Sequence, residues 1–156
     1  MLTFMKFIHL SSIVVWVGSM AFFSFVAAPS IFKVLPRETA GDVVGDIFPK
    51  YWLIGYVCGS LALVSIIAVA VSEGVFPLLR MLVICAMTGA VFYTGLVVGE
   101  EARAIKAQVR AERDEQARQA LRERFREVHA RSSTLNLSIL AAGFVLVLLT
   151  AVNIGF

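Results

Sequence analysis

Four apolar runs, each about as long as a helix must be to cross a bilayer, constrain this chain more than anything else in its sequence. They fall at about residues 7–28, 51–71, 77–98 and 135–154. Between Ser11 and Ala28, Tyr51 and Val71, Leu82 and Val98, and Leu135 and Ile154 there is no Asp, Glu, Lys, Arg or His. A chain of 156 residues with 59% hydrophobic content and a mean hydropathy of +0.85 is too apolar for a soluble domain of its size. The first run is too long for the core of a signal peptide, and no small-residue cleavage pattern follows it, so it is read as retained. The predicted fold is therefore all-α: a polytopic membrane protein whose residues 1–156 form one bundle of four transmembrane helices.

The charge lies between the runs. Nine of the 14 Lys and Arg residues sit between Gly99 and Arg131, and Lys33, Arg37 and Lys50 join them on the same side of the bilayer. Lys6 and Arg80 are left on the other side, so 12 of 14 face one way. Basic segments this short resist translocation, which predicts a cytoplasmic polar stretch, both termini non-cytoplasmic, and residence in a bacterial inner (plasma) membrane. The stretch has no Gly after Gly99 and no Pro, and it is rich in Ala, Glu, Gln and Arg. It predicts that the third and fourth spans continue as a protruding cytoplasmic helical hairpin, turning near Glu112 to Gln116, each arm about 20 Å long. The bilayer itself is the first partner, and the hairpin offers a surface to a membrane-complex partner or to a second copy. Because its basic residues are interleaved with acids, nucleic acid is excluded as a partner.

Within the runs little can carry chemistry. The absence of ionisable groups argues against a proton-coupled transporter with a midplane carboxylate. Cys58 and Cys85 lie in apolar runs and read as small packing residues. Gly55 with Gly59, and Gly95 with Gly99, are two GxxxG pairs at similar depth, predicted to let helix backbones approach, within one subunit or between two. From Pro36 to Lys50, Val43, Val44, Ile47 and Phe48 oppose Asp42 and Asp46, which predicts a short amphipathic piece lying along the interface.

The two histidines are predicted at opposite faces, His9 opening the first span and His129 preceding the fourth. Each is either a helix-end residue holding a hydrogen bond or a ligand. Near His129, the residues Asp42, Asp46, Glu100, Glu101, Arg103, Arg131 and Asn136 converge in depth. Of these, Asp42, Asp46 and Glu101 with His129 form a candidate oxygen and imidazole metal set. The arginines could instead take an anionic lipid headgroup. The near balance of acid and base favours a third reading, a salt-bridge network tying the interfacial piece to the bundle.

Several of these residues also form a familiar pattern. His9 with Trp16 and Gly18, Phe48-Pro49-x-Tyr51, and Phe125-x-x-x-His129-x-x-Ser132-Ser133-x-x-Asn136 resemble the transmembrane protein 205-like family of four-span proteins. The resemblance covers most of the chain, including the charged segment before the last span. It implies a membrane fold without a settled activity, and a link to metal or drug tolerance through a eukaryotic member associated with platinum-drug resistance. It makes Tyr51, Ser133 and Asn136 site candidates beside His129 and Arg103. The His9 and Trp16 pattern is also similar to copper-resistance D proteins and HemJ-like protoporphyrinogen oxidases. That likeness implies haem or copper as cofactor, with His9 and Trp16 as the cofactor-binding candidates.

Three functions follow. The first is a non-enzymatic membrane protein binding a partner, lipid or metal at its cytoplasmic face. The second is a haem- or copper-binding redox protein using His9, and the third a structural or assembly subunit of a membrane complex.

Overall fold

Three short breaks divide the chain into long helices, and each break has a local cause. The computed structural model describes residues 1–152, in which α1 is Leu2–Val34, α2 Arg37–Glu73, α3 Leu78–Ala111 and α4 Glu115–Val152. Leu35 is extended (φ −104°, ψ 149°), as the residue before Pro36 must be to clear the proline ring. Gly74 ends α2 in the left-handed conformation (φ 68°), which glycine adopts without a Cβ penalty. At the tip of the polar stretch, the Glu112 carboxylate accepts from the backbone N–H groups of Arg113 and Asp114. Asp114 then caps α4 by accepting from the Ala117 N–H at 3.2 Å. The predicted end of the fourth run at residue 154 lies outside the described residues.

Two helices carry one π-turn each. Ala28 N–H reaches back five residues to the Phe23 carbonyl, and Gly99 N–H does the same to Thr94. The first π-turn, Phe23–Ala27, lies just before Pro29, and α1 continues through that proline to Val34. α2 likewise runs through Pro49 without interruption. The piece from Pro36 to Lys50 is therefore not a separate interfacial helix. It forms the first turns of α2, because Pro49 costs one backbone bond but brings no terminating glycine with it.

All four helices are long and apolar enough to cross a membrane, and the chain is an integral membrane protein. Each packs on its neighbours in a ring: α1 on α2, α2 on α3, α3 on α4, and α4 back on α1. Trp16, Met20, Ile84, Met87, Leu140 and Leu146 fill the centre. Phe7, Val14, Leu53, Val64, Leu82, Leu96, Phe144 and Leu148 point outward into what must be lipid, since water would not tolerate so continuous an apolar belt. Several hydroxyls inside the apolar zone bond to their own helices, as Ser65 does to Leu61 O and Thr94 to Ala90 O.

Both glycine pairs lie on the contact between α2 and α3 within the subunit, Gly55 and Gly59 against Val91 and Thr88, Gly95 and Gly99 against Tyr56 and Trp52. A Cβ on Gly55 or Gly59 would meet the Trp16 indole and side chains of α3, whereas one on Gly99 would overlap the Trp52 indole. From the ends of the third and fourth apolar runs outward, Val98, Ala102, Ile105 and Val109 of α3 pack against Phe125, Val128 and Leu135 of α4. Their three- and four-residue spacing is the seam of an antiparallel coiled coil, so the polar stretch stands up as a helical hairpin.

Candidate functional site

The first turns of α2, the part of α3 leaving the bundle and the part of α4 returning to it enclose a cleft at the base of the hairpin. Its main cavity holds about 370 Å³. Phe48, Trp52 and Phe125 form apolar walls, and Arg37, Arg103, Lys106 and Arg126 line the rim. A second cavity of about 270 Å³ shares Phe32, Phe48, His129 and Ser132 with it and extends to Ser24, Ser133 and Asn136.

Helical spacing sets this geometry. Phe48 and Trp52, four residues apart on α2, stack with ring centres 5.3 Å apart. Trp52 lies against Gly99 and carries the Arg103 guanidinium 5.9 Å from its ring centre. Arg103 is also paired with Glu100 at 2.6 Å. Lys106 latches the hairpin to α2, with Nζ 2.7 Å from the Asp42 carboxylate and donating to the Gly41 carbonyl at 3.0 Å; Arg110 binds the same carboxylate. The Lys106 hydrogen bond, backed by Arg110, holds the Asp42 carboxyl below its ordinary 3.8. Arg37 and Arg126 have no acidic partner among the described residues.

His129 stacks on Phe125, ring centres 6.0 Å apart. Its ring is exposed to the cleft, yet the protein around it withdraws enough water to lower its pKa from 6.5. Below it, the Tyr51 hydroxyl donates to Asn136 Oδ1, and Asn136 Nδ2 donates to Ser24 Oγ at 3.1 Å. That chain of bonds ties α1, α2 and α4 together under the cleft.

The structure thus brings Arg103, His129, Ser133 and Asn136 to one connected space, with Tyr51 bonded at its base. It does not assemble the metal set. Asp42 is held by Lys106 and Arg110, Asp46 pairs with Lys50 at 2.6 Å, and Glu101 pairs with Arg124 at 3.4 Å. Among the described residues no three His, Cys, Asp or Glu side chains gather closely enough to hold a metal ion.

His9 and Trp16 lie away from this cleft. His9 Nδ1 is bonded to the Ala62 carbonyl at 3.1 Å, and Trp16, 2% exposed, is wedged against Gly55 and Gly59. His9 lines a cavity at the other end of the bundle, and Trp16 is not among the residues that line it.

Sequence reasoning missed Arg37, Trp52, Lys106 and Arg126 as members of the site. The available signal was the alternation of aromatic and basic residues at helical spacing: Phe48 with Trp52, Arg103 with Lys106, and Phe125 beside Arg126. Chemically, a basic rim over aromatic walls with a polar base suits an anion that carries an apolar body.

Comparison with known proteins adds a family without an activity. The family model described as a domain of unknown function, DUF4149, matches residues 11–111. The match covers α1 through α3 and leaves out α4, which supplies Phe125, His129 and Asn136. An uncharacterized protein of Aquifex aeolicus (strain VF5) is 44% identical over 48 residues, which are 31% of this chain and 36% of the relative. The matched stretch thus spans about a third of that curated relative's length. No solved structure matches.

Proposed function

The chain belongs to the DUF4149 family, a domain of unknown function, and from that premise we propose that it is a non-enzymatic integral membrane protein that holds an anionic phospholipid by its headgroup in the cleft beneath the hairpin. The observation that carries this reading is the pair Arg37 and Arg126, which line the same cavity as Phe32, Phe48 and Trp52 without acidic partners among the described residues. A phosphate diester supplies the charge that two guanidinium forks take up. A cavity of about 370 Å³ holds a headgroup and the first methylenes, and the acyl chains continue outside along the apolar flank of the bundle.

In this reading the cleft faces the cytoplasm of a bacterial cell and both termini lie on the other side of the inner membrane. The support is the placement of 12 of the 14 basic residues at the hairpin side. The likeness to the transmembrane protein 205-like family sits with the same reading, since Phe125, His129, Ser133 and Asn136 all line the cleft.

Delipidated protein offered equal phosphatidylglycerol and phosphatidylcholine should retain the anionic lipid selectively in native mass spectrometry. The double variant Arg37→Glu with Arg126→Glu should lose that selectivity. Equal retention of the two lipids, or full retention by the double variant, would overturn the reading. A cysteine replacing Arg118 should resist an impermeant thiol label applied to sealed cells, and labelling from outside would invert the orientation.

A further inference from the structure

The other end of the bundle holds a second, separate cavity with hydrogen-bonding capacity that the protein leaves unused. It encloses about 430 Å³ between the starts of α1 and α3 and the end of α2. Lys6, His9, Glu73 and Arg80 line it, with Leu10 and Ile66 in its apolar wall. Lys6 and Glu73 pair with each other at 2.6 Å and so cancel.

His9 is 7% exposed, and its bonding fixes its tautomer. A carbonyl oxygen can only accept, so the 3.1 Å contact between Nδ1 and Ala62 O puts the hydrogen on Nδ1. Ser65 Oγ, 3.2 Å from the same nitrogen, spends its own hydrogen on the Leu61 carbonyl at 2.6 Å and so adds no competing donor. In the neutral ring Nε2 is then a bare lone pair, buried and without a partner. The Arg80 Nε–H is likewise buried without a partner. Two residues that line one cavity therefore carry an unpaired basic acceptor and an unpaired cationic donor, and Arg80 has no counterion among the described residues. Leaving such groups unmet in a membrane protein is costly.

We propose that this cavity binds a long-chain carboxylic acid. One carboxyl oxygen accepts from Arg80 Nε–H. The other meets His9 Nε2, either donating its hydrogen or giving the proton up, so that the O–H bond breaks, an Nε2–H bond forms and a carboxylate remains against two cations. Both forms satisfy both buried atoms. In the ionised form the carboxylate lies between Arg80 and the new imidazolium, and the alkyl chain runs along Leu10 and Ile66 toward the lipid. A fatty alcohol lacks the second oxygen and the charge, and a methyl ester has no hydrogen to give Nε2. The phosphate diester of a phospholipid has none to give either.

The test uses full-length protein in neutral detergent and palmitic acid, hexadecanol and methyl palmitate as probes. Palmitic acid should bind saturably at one site, with the alcohol and the ester at least tenfold weaker. Arg80→Met and His9→Phe should each weaken palmitate at least tenfold, while Arg113→Met at the hairpin tip should not. Because His9→Phe also removes the bond to Ala62 and could unfold the chain, nitrogen NMR of the wild-type ring gives a second measurement: His9 Nε2 should shift from an acceptor to a protonated position as palmitate is added. Hexadecanol binding as well as palmitate would overturn the assignment, as would full palmitate binding by Arg80→Met or an Nε2 signal that does not move. Loss of palmitate in the Arg37→Glu, Arg126→Glu variant instead would put the ligand in the hairpin-side cleft and equally overturn it. Failure of the phospholipid reading would leave this test untouched.

Discussion

Replacing Gly99 with alanine should damage both the bundle and the cleft, by an amount that follows from the packing of one indole. A Cβ at that position would stand 2.1 and 2.4 Å from two ring carbons of Trp52, against a comfortable carbon–carbon separation of about 3.5 Å. The indole would have to move by more than an ångström. It is 6% exposed and stacked on Phe48, so it has nowhere to go except into the cleft. Overpacking of this severity costs about 3 kcal/mol, the upper end of the usual range. The better helix propensity of alanine returns about 1 kcal/mol. The net loss of about 2 kcal/mol corresponds to a fall in Tm of roughly 4–8 °C for a chain of this size. Thermal melting in a mild detergent measures it, with Gly89→Ala as control, because nothing lies within 4 Å of a Cβ there. Combining Gly99→Ala with Trp52→Leu should turn the alanine from harmful to neutral or better, a coupling of about 2–3 kcal/mol. If Gly99→Ala melts with Gly89→Ala, or if the double variant shows no coupling, the reasoning fails.

Three further outcomes are expected. Asn136→Leu should cost about 1–2 kcal/mol in the same melt, since it breaks two interhelical bonds of roughly 0.6–1 kcal/mol each, and Tyr51→Phe about half of that; equal losses would remove Asn136 as the hub. Asp42→Asn should leave the melt nearly unchanged, its ion pairs being exposed, but should broaden the spin-label distance between cysteines replacing Glu38 and Gln108. An unchanged distance distribution would show that the latch holds without Asp42. The Asp42 carboxyl titrates below 3.8, so the folded state binds its proton later than the unfolded chain does. The latch should therefore be intact from neutral pH down to 3.8 and open only as pH falls through the lower folded value, and a spin-label distance that broadens between neutral pH and 3.8 would refute this.

The helical, membrane-crossing character of the chain was legible because it rests on local patterns. Four uncharged runs and a helix-rich polar stretch each speak for themselves, and the hairpin seam repeats at coiled-coil spacing from Val98 to Val109. The cleft was legible only in part. His129, Ser133, Asn136 and Arg103 stand out as polar residues at one depth, but Arg37, Phe48 and Trp52 belong to a stretch that Pro49 makes look like two pieces. Asp42 looks like a metal ligand until Lys106 and Arg110, far along the chain, are found on it. Nothing in the spacing of separate segments announces such a pairing. The glycine pairs were legible as places of close helix approach, and only packing tells which side chains, among them Trp16, Tyr56 and Trp52, fill the space beside them.

Because α3 and α4 run from the bundle into the hairpin without a joint, the tip acts as a lever whose load arrives inside the bilayer. Along that rod the bonding widens at the turn from Thr94 to Val98, directly below the contact between Gly99 and Trp52. The loop around Glu112 is therefore joined by unbroken helix to the level at which the indole is seated and the cleft begins.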